Sequence, residues 1–474
     1  MRVALIQLPH FYGRGTERPP ECYPLGLGYI SSILKMNNIC HGGIDLWQKQ
    51  LSVNAAIEEI DFSKFDVLAI SAYATQYNYL KNLTIEIKQR YPSIPIVCGG
   101  AGPTFSDHII LKNTGVDICV LGEGEITFLE LLRSLDKPDY VKGVSILRNG
   151  SIFRTSERSY VMNIDSLPYP NRELFDFEGI IANANLVRAN TDSPHLKKNP
   201  RRSADIIAGR GCPYQCNYCS KTFSGCRLRS VENLRSEIRE LKSVYKIDHL
   251  QFNDELVLLG KRRTLALCDM LKREQIAWSC QGRIDQVDWE ILTAMKGSGC
   301  IEIGYGIESV SQSILDNMNK GLKADQILPV IEMTKKAGMK PIVQYMYGYP
   351  GENDETIAST LSFFNAIDHP FVGFTTTPIP GSKLYGDCLE KGLISDEENY
   401  LTKLDAGYNL EGTINLTSFN DEEFMQKKKR LMIKITHNYL KKRPLSYLRF
   451  LAGLVARKSK ALFNFMIRRL SYVV

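Results

Sequence analysis

Short apolar runs without polar alternation, each followed by a stretch of helical periodicity, recur through this chain of 474 residues, and that rhythm is present twice. A strand with one wet face alternates apolar and polar side chains, whereas a strand covered on both faces reads as a continuous apolar run. Val3 to Leu8, Val67 to Ser71, Ile94 to Cys98 and Ile118 to Leu121 are of the second kind. Residues 1–150 are therefore expected to form a Rossmann-like, doubly wound parallel sheet. Residues 151–202 have weak periodicity, contain Leu167-Pro168-Tyr169-Pro170 and a polar stretch from Thr191 to Arg202, and read as a connector with short pieces of structure. The rhythm returns over 203–390, with strands near Ile206, Leu250, Trp278, Ile303, Val343 and Phe374. Six such units predict a partial TIM-type (β/α) barrel, whose chemistry sits at the C-terminal ends of its strands. Residues 391–474 lose the rhythm and become helical and increasingly basic, so the fold class expected is α/β with a helical C-terminal region.

Several strands of the first unit end in small residues, Gly99-Gly100-Ala101-Gly102-Pro103 after one and Gly122-Glu123-Gly124-Glu125 after another. In an open parallel sheet these ends form the ligand crevice, and glycines there either turn the chain or let backbone approach a bulky ligand.

The most specific motif lies directly after the first barrel strand: Gly209-Arg210-Gly211-Cys212-Pro213-Tyr214-Gln215-Cys216-Asn217-Tyr218-Cys219. Cysteines spaced C-x3-C-x2-C bring three thiolates to one centre, and soft thiolates select iron–sulfur clusters or zinc. Three ligands leave a [4Fe–4S] cluster with one open iron. Zinc completed by Cys226 is the alternative, although closed zinc sites usually draw their ligands from two separated pairs. The other cysteines are scattered singly, which fits a reducing compartment rather than a disulfide framework. No uncharged apolar run approaches the roughly 20 residues of a bilayer-spanning helix, and the start MRVALIQLPH is too short in its apolar stretch for a signal peptide. A cytoplasmic protein is expected.

The cysteine loop after a barrel strand resembles that of radical S-adenosylmethionine (SAM) enzymes, and the preceding Rossmann-like unit resembles their cobalamin-binding subfamily. The resemblance runs from about residue 1 to 385 and is supported by Pro24-Leu25-Gly26-Leu27-Gly28-Tyr29, Gly122 to Glu125, Gly304-Tyr305-Gly306-Ile307-Glu308-Ser309 and Gly348-Tyr349-Pro350-Gly351-Glu352. It implies a [4Fe–4S] cluster ligated by Cys212, Cys216 and Cys219, with SAM chelating the open iron and Tyr218 packed beside it. An electron from the reduced cluster, delivered by an external donor of flavodoxin or ferredoxin type, then cleaves SAM to a 5′-deoxyadenosyl radical. It further implies Asp254 or Glu255 at the SAM ammonium, Arg283 at its carboxylate or ribose, and Glu308 facing the cofactor. Gly348, Pro350 and Gly351 either shape the adenine pocket or turn the chain. An N-cap is the alternative for Asp254 or Glu255, and an ordinary ion pair for Arg283. For cobalamin it implies Ser71, Gly99 and Gly100 at the nucleotide tail, with Glu123 in the same site. The axial motif D-x-H-x-x-G is absent: the best-aligned stretch, Asp45-Leu46-Trp47-Gln48-Lys49-Gln50, has Trp in place of His. His10 and His41 are the other histidines near strand ends.

From Phe424 onward there is no Asp or Glu, and residues 427–474 hold 14 Lys or Arg, against 45 basic and 52 acidic residues in the remainder. Such basic amphipathic sequence either packs its apolar face on the barrel or lies on an anionic membrane surface, peripheral to the inner face of the membrane. It carries no recognised RNA-binding motif, so nucleic acid is not an expected partner. Together these features predict a cobalamin-dependent radical SAM enzyme methylating an unactivated carbon of a small-molecule or lipid substrate. Ring formation, coupling or rearrangement in lipid or tetrapyrrole biosynthesis is the second reading, and a non-catalytic cluster or corrinoid sensor the third. A methylthiotransferase is disfavoured, because Cys22, Cys40, Cys98 and Cys119 are spread too widely to hold a second cluster.

Overall fold

A computed structural model of the chain describes residues 1–10, 20–189, 202–369, 372–407 and 414–443. The first sheet contains β1 (Arg2–Gln7), β2 (Cys40–Asp45), β3 (Val67–Ser71), β4 (Ile96–Gly99), β5 (Ile118–Val120), β6 (Val144–Arg148) and β7 (Ser151–Arg154). Its order is β2-β1-β3-β4-β5-β6-β7, parallel through β5 and antiparallel from β5 to β7. The apolar runs are unalternating for the expected reason. Val3, Leu5, Val67 and Ala69 enter one core, whereas Ala4, Ile6, Leu68 and Ile70 enter another on the opposite face. The order reverses between β1 and β3, which places a topological switch point, and so a ligand crevice, at their C-terminal ends.

The connector contains a strand and a helix. Residues 151–154 are β7, joined to β6 by Asn149-Gly150, both with positive φ (50° and 75°), and Phe177–Ala189 is a helix. The polar stretch Thr191 to Arg202 lies, but for Arg202, outside the described residues.

The second sheet opens with β8 (Ser203–Ile206) and is interrupted by a short ribbon, β9 (Gly209–Arg210) against β10 (Arg227–Leu228), whose two strands bracket the cysteine loop. It continues with β11 (His249–Phe252), β12 (Ala277–Gly282), β13 (Cys300–Glu308), β14 (Lys340–Tyr347) and β15 (Val372–Thr375). All six barrel strands pair in chain order and in parallel, a partial barrel containing every strand expected from the sequence.

The two sheets share a core. Val3, Leu5, Val97 and Val120 of the first belong to the same apolar cluster as Ile206, Leu250, Trp278 and Val343 of the second. The C-terminal region is helical and folds back on both. Tyr385, Cys388, Tyr400, Leu401 and Leu404, from helices Lys383–Glu390 and Glu397–Gly407, complete the other core of the first sheet. The helix Asp421–Lys441 buries Phe424, Leu431 and Ile435 against the barrel, with the Phe424 ring 5.2 Å from that of Tyr347. Some of its cations are engaged: Lys427 pairs with Asp354 and Lys428 donates to Thr375 Oγ1, while just past its end Lys442 and Arg443 pair with Asp368. Residues 444–474, with the rest of the basic tail, lie outside the described residues. No helix among the described residues is long and apolar enough to cross a membrane.

Candidate functional site

Two cavities adjoin where the sheets face each other. The smaller, about 200 Å³, lies inside the barrel mouth and is lined by Cys212, Cys216, Cys219, Glu255, Arg283 and Glu308 among others. The larger, about 510 Å³, fills the crevice at the C-terminal ends of β1, β3, β4 and β5. Phe223 and Glu255 line both.

The cysteine loop is held by hydrogen bonds to segments outside it rather than by its own regular structure. Asn217 N donates to Met318 O (2.9 Å), Asn319 Nδ2 to Gln215 O (2.7 Å), Leu384 N to Asn217 O (2.8 Å) and Ser220 Oγ to Pro380 O (2.7 Å). At its entry Gly211 has φ +85°, and a Cβ there would meet Gly225 O at 2.4 Å, so only glycine fits. Cys216 and Cys219 share a hydrogen bond that holds the Cys216 thiol below its ordinary pKa, with the Lys320 and Arg283 charges adding to the effect. The same bond, together with burial, pushes Cys219 up. Among the described residues, no three His, Cys, Asp or Glu side chains converge as ligands of a single ion do. Cys212, Cys216 and Cys219 all line this one cavity, and a set of three soft thiolates suits a four-iron cluster with one open iron. Cys226 does not line the cavity.

Glu255 reaches the rim of both cavities, where its Oε2 accepts Gly211 N at 3.2 Å. Asp254 lines neither. Its buried carboxylate accepts Ala208 N at 2.7 and 2.9 Å, and burial pushes its pKa up to about 7, so of the two acidic neighbours only Glu255 faces a ligand space. Arg283 does line the barrel cavity, but its guanidinium stacks 3.5 Å from the Tyr214 ring centroid. It donates to Asp285 (3.0 and 2.9 Å) and to Lys320 O (2.9 Å), close to the ion-pair alternative. Glu308 ends β13 on a register shift with φ +63°, a strained conformation for a residue with a side chain, costing about 1–3 kcal/mol. Its carboxylate lies 3.4 Å from Lys320 Nζ, which also donates to Tyr218 Oη at 2.6 Å. Gly348, Pro350 and Gly351 line neither cavity: the turn is held by Glu352, whose carboxylate accepts Gly348 N (2.7 Å) and Tyr345 Oη (2.9 Å), and it packs on Phe424. Lys221, Lys320 and Tyr214, on loops, and Gln344, within β14, line the barrel cavity without having been expected there, since neither periodicity nor spacing marks a single cavity-facing residue.

In the crevice, Ser71, Gly99 and Gly100 stand at the ends of β3 and β4 and line the cavity. Gly100 has φ +101°, and a Cβ there would lie 2.9 Å from Ala72 O. Glu123 also lines it, yet its carboxylate is engaged in a buried network. Arg210 reaches Glu123 (2.7 Å) and Glu125 (2.5 Å), Arg227 reaches both Glu123 oxygens (2.9 and 3.0 Å), and Val161 N donates to Glu123 Oε2 (2.8 Å). Glu123 thus ties the cysteine loop to the first sheet rather than offering a free carboxylate to a ligand. Trp47 lines the crevice where the axial motif would have placed histidine, its ring 4.7 Å from that of His10, which in turn lies 5.3 Å from Tyr73. Burial lowers the His10 pKa to about 4 and keeps the ring neutral. His41 lies outside the crevice, with Nε2 on Ser31 Oγ (2.7 Å) and Nδ1 on Ile39 O (2.8 Å).

The B12 binding domain family matches residues 13–132, and the radical SAM superfamily matches residues 206–364. The chain belongs to the cobalamin-binding radical SAM family. It is a cobalamin-dependent radical SAM enzyme, with the cofactors of that family: a [4Fe–4S] cluster, SAM and cobalamin. An uncharacterized methyltransferase of Pyrococcus horikoshii is 27% identical over 390 residues, covering 80% of each chain. The anaerobic magnesium-protoporphyrin IX monomethyl ester cyclase of Rubrivivax gelatinosus is 25% identical over 422 residues, covering 84% of this chain and 72% of the cyclase. Among solved structures, the radical SAM methyltransferase TsrM from Kitasatospora setae, with cobalamin and a [4Fe–4S] cluster bound, has the same fold. It superposes with a TM-score of 0.66 at 15% identity, over 82% of this chain and 78% of that one.

Proposed function

We propose that this enzyme transfers a methyl group from SAM to an unactivated carbon of a small-molecule or lipid substrate. The adjacency of the two cavities across Phe223 and Glu255 carries this reading, because methyl transfer between two cofactors requires a substrate that reaches both. The similarity to a methyltransferase over four-fifths of the chain supports it. When bound, the cluster supplies the electron that cleaves SAM, and the corrinoid supplies a methyl carrier.

The chain's own residues hold and orient. Cys212, Cys216 and Cys219 would hold the cluster. Glu255 is placed to accept the SAM ammonium, since its carboxylate faces the barrel cavity and only one of its oxygens is taken by Gly211 N. Ser71, Gly99 and Gly100 would admit the corrinoid's nucleotide tail, with Trp47, His10 and Tyr73 forming an aromatic wall beside it. Tyr218 and Phe223 narrow the space at the loop and exclude water from a reactive radical. The likeness to the cyclase favours a second reading, ring formation without methyl transfer.

Anaerobically reconstituted protein given reductant, cobalamin, SAM and a lipid and metabolite extract of its own cells separates the two. Methyl transfer predicts 5′-deoxyadenosine and S-adenosylhomocysteine accumulating in similar amounts. Accumulation of 5′-deoxyadenosine alone rules methyl transfer out in favour of ring formation or rearrangement.

A further inference from the structure

Three cations line the barrel cavity: Lys221, Arg283 and Lys320. Arg283 is spent on Asp285 and a backbone carbonyl, and Lys320 on Tyr218 and Glu308. Lys221 differs, because its Nζ is shut off from solvent and has no hydrogen-bond partner in the structure. The two carboxylates of the cavity, Glu255 and Glu308, bond to Gly211 N and Lys320 instead. Burying an ammonium without a partner costs several kcal/mol, and a folded chain keeps such a group where something else supplies the counter-charge. Its position narrows the choice. Lys221 lies two residues past Cys219, and the next residues, Thr222 and Phe223, line the crevice. Lys221 therefore lines the barrel cavity directly beside residues that form the wall of the crevice.

We infer that Lys221 is an anion anchor, receiving a carboxylate or phosphate of a molecule bound at the junction of the two cavities. This rests on the radical SAM reading of the barrel cavity. One chemistry has two sources here, the methionyl carboxylate of SAM and an anionic group on the methyl-accepting substrate.

The test uses reconstituted holoprotein, wild type and Lys221→Met, with Lys221→Arg as the charge-conserving control. Equilibrium dialysis gives the Kd of SAM and of decarboxylated SAM, and then the Kd of inorganic phosphate to SAM-loaded protein. If the anchor holds the SAM carboxylate, Lys221→Met weakens SAM about tenfold or more and leaves decarboxylated SAM unchanged, as expected for a lost charge-assisted hydrogen bond. If it holds a substrate anion, SAM affinity is kept and phosphate binding drops by a similar factor. In either case Lys221→Arg restores most of the affinity. Unchanged binding of all three probes by Lys221→Met overturns the anchor. So does loss of iron from that variant, which would show the charge serving the cluster itself. Wild-type protein that binds phosphate through Lys221 but no SAM keeps the anchor and removes the radical SAM reading instead.

Discussion

Glu255 takes the Gly211 amide at the rim of both cavities, while Asp254, one residue earlier, spends its carboxylate on Ala208 N behind the loop. The sequence brought both to the end of the second barrel strand, but could not say which faces the ligand, because that choice depends on a bend after β11 that periodicity does not encode. The division predicts opposite phenotypes. Glu255→Gln should weaken SAM binding about tenfold or more in equilibrium dialysis with an unchanged melting temperature. Asp254→Ala should leave Ala208 N buried and unpaired, costing about 1–3 kcal/mol of stability in denaturant unfolding. The same limit explains Lys320 and Lys221, which reach the cavity from loops, and Arg283, whose stacking on Tyr214 joins segments far apart in the chain.

At the scale of elements, the strands buried on both faces were legible because burial itself writes a continuous apolar run. The strand β2, Cys40–Asp45, was not, since it is an edge strand with half-exposed residues and only Ile44 packed in a core. The β6–β7 hairpin escaped for another reason. Its two-residue signal, Asn149-Gly150, was there to be read, but the strands beside it are short and exposed next to the turn, at Leu147, Arg148, Ser151, Phe153 and Arg154. The turn after β14 was expected either to shape a pocket or to bend the chain, and it bends the chain around Glu352. Burial raises that carboxyl from 4.5 to about 7, so the folded state holds a proton that the unfolded state releases. Stability from this group is present below about pH 4.5 and is lost as pH rises through 7, by at most about 3 kcal/mol. The melting temperature of the wild type should therefore fall between pH 5 and 8, and the fall should be shallower in Glu352→Gln. An equal slope in both would remove Glu352 as its source.

Over the whole molecule, two sheets that could have been separate domains share one apolar cluster and are tied by the buried Glu123, Glu125, Arg210 and Arg227 network. Arg210 belongs to the cysteine loop and Glu123 to the crevice, so the joint that closes the molecule also sets the two ligand spaces against each other. The C-terminal helices add to this closure: Leu384 N holds the cysteine loop at Asn217 O, and Tyr385 and Leu401 fill the first sheet's other core. This mutual arrangement was beyond the sequence, where each half was readable alone but their contact residues look like ordinary surface charges. Such an arrangement suits one chain holding two cofactors in two adjoining but distinct cavities. Its most direct test is iron, sulfide and cobalamin analysis of anaerobically reconstituted wild type and Cys216→Ala, with EPR of the reduced proteins. Two separately held cofactors give four irons and one cobalamin per wild-type chain, and a Cys216→Ala protein that loses the reduced-cluster signal while retaining cobalamin. A wild-type-like cluster signal in Cys216→Ala, or wild-type protein that retains no cobalamin, would contradict it.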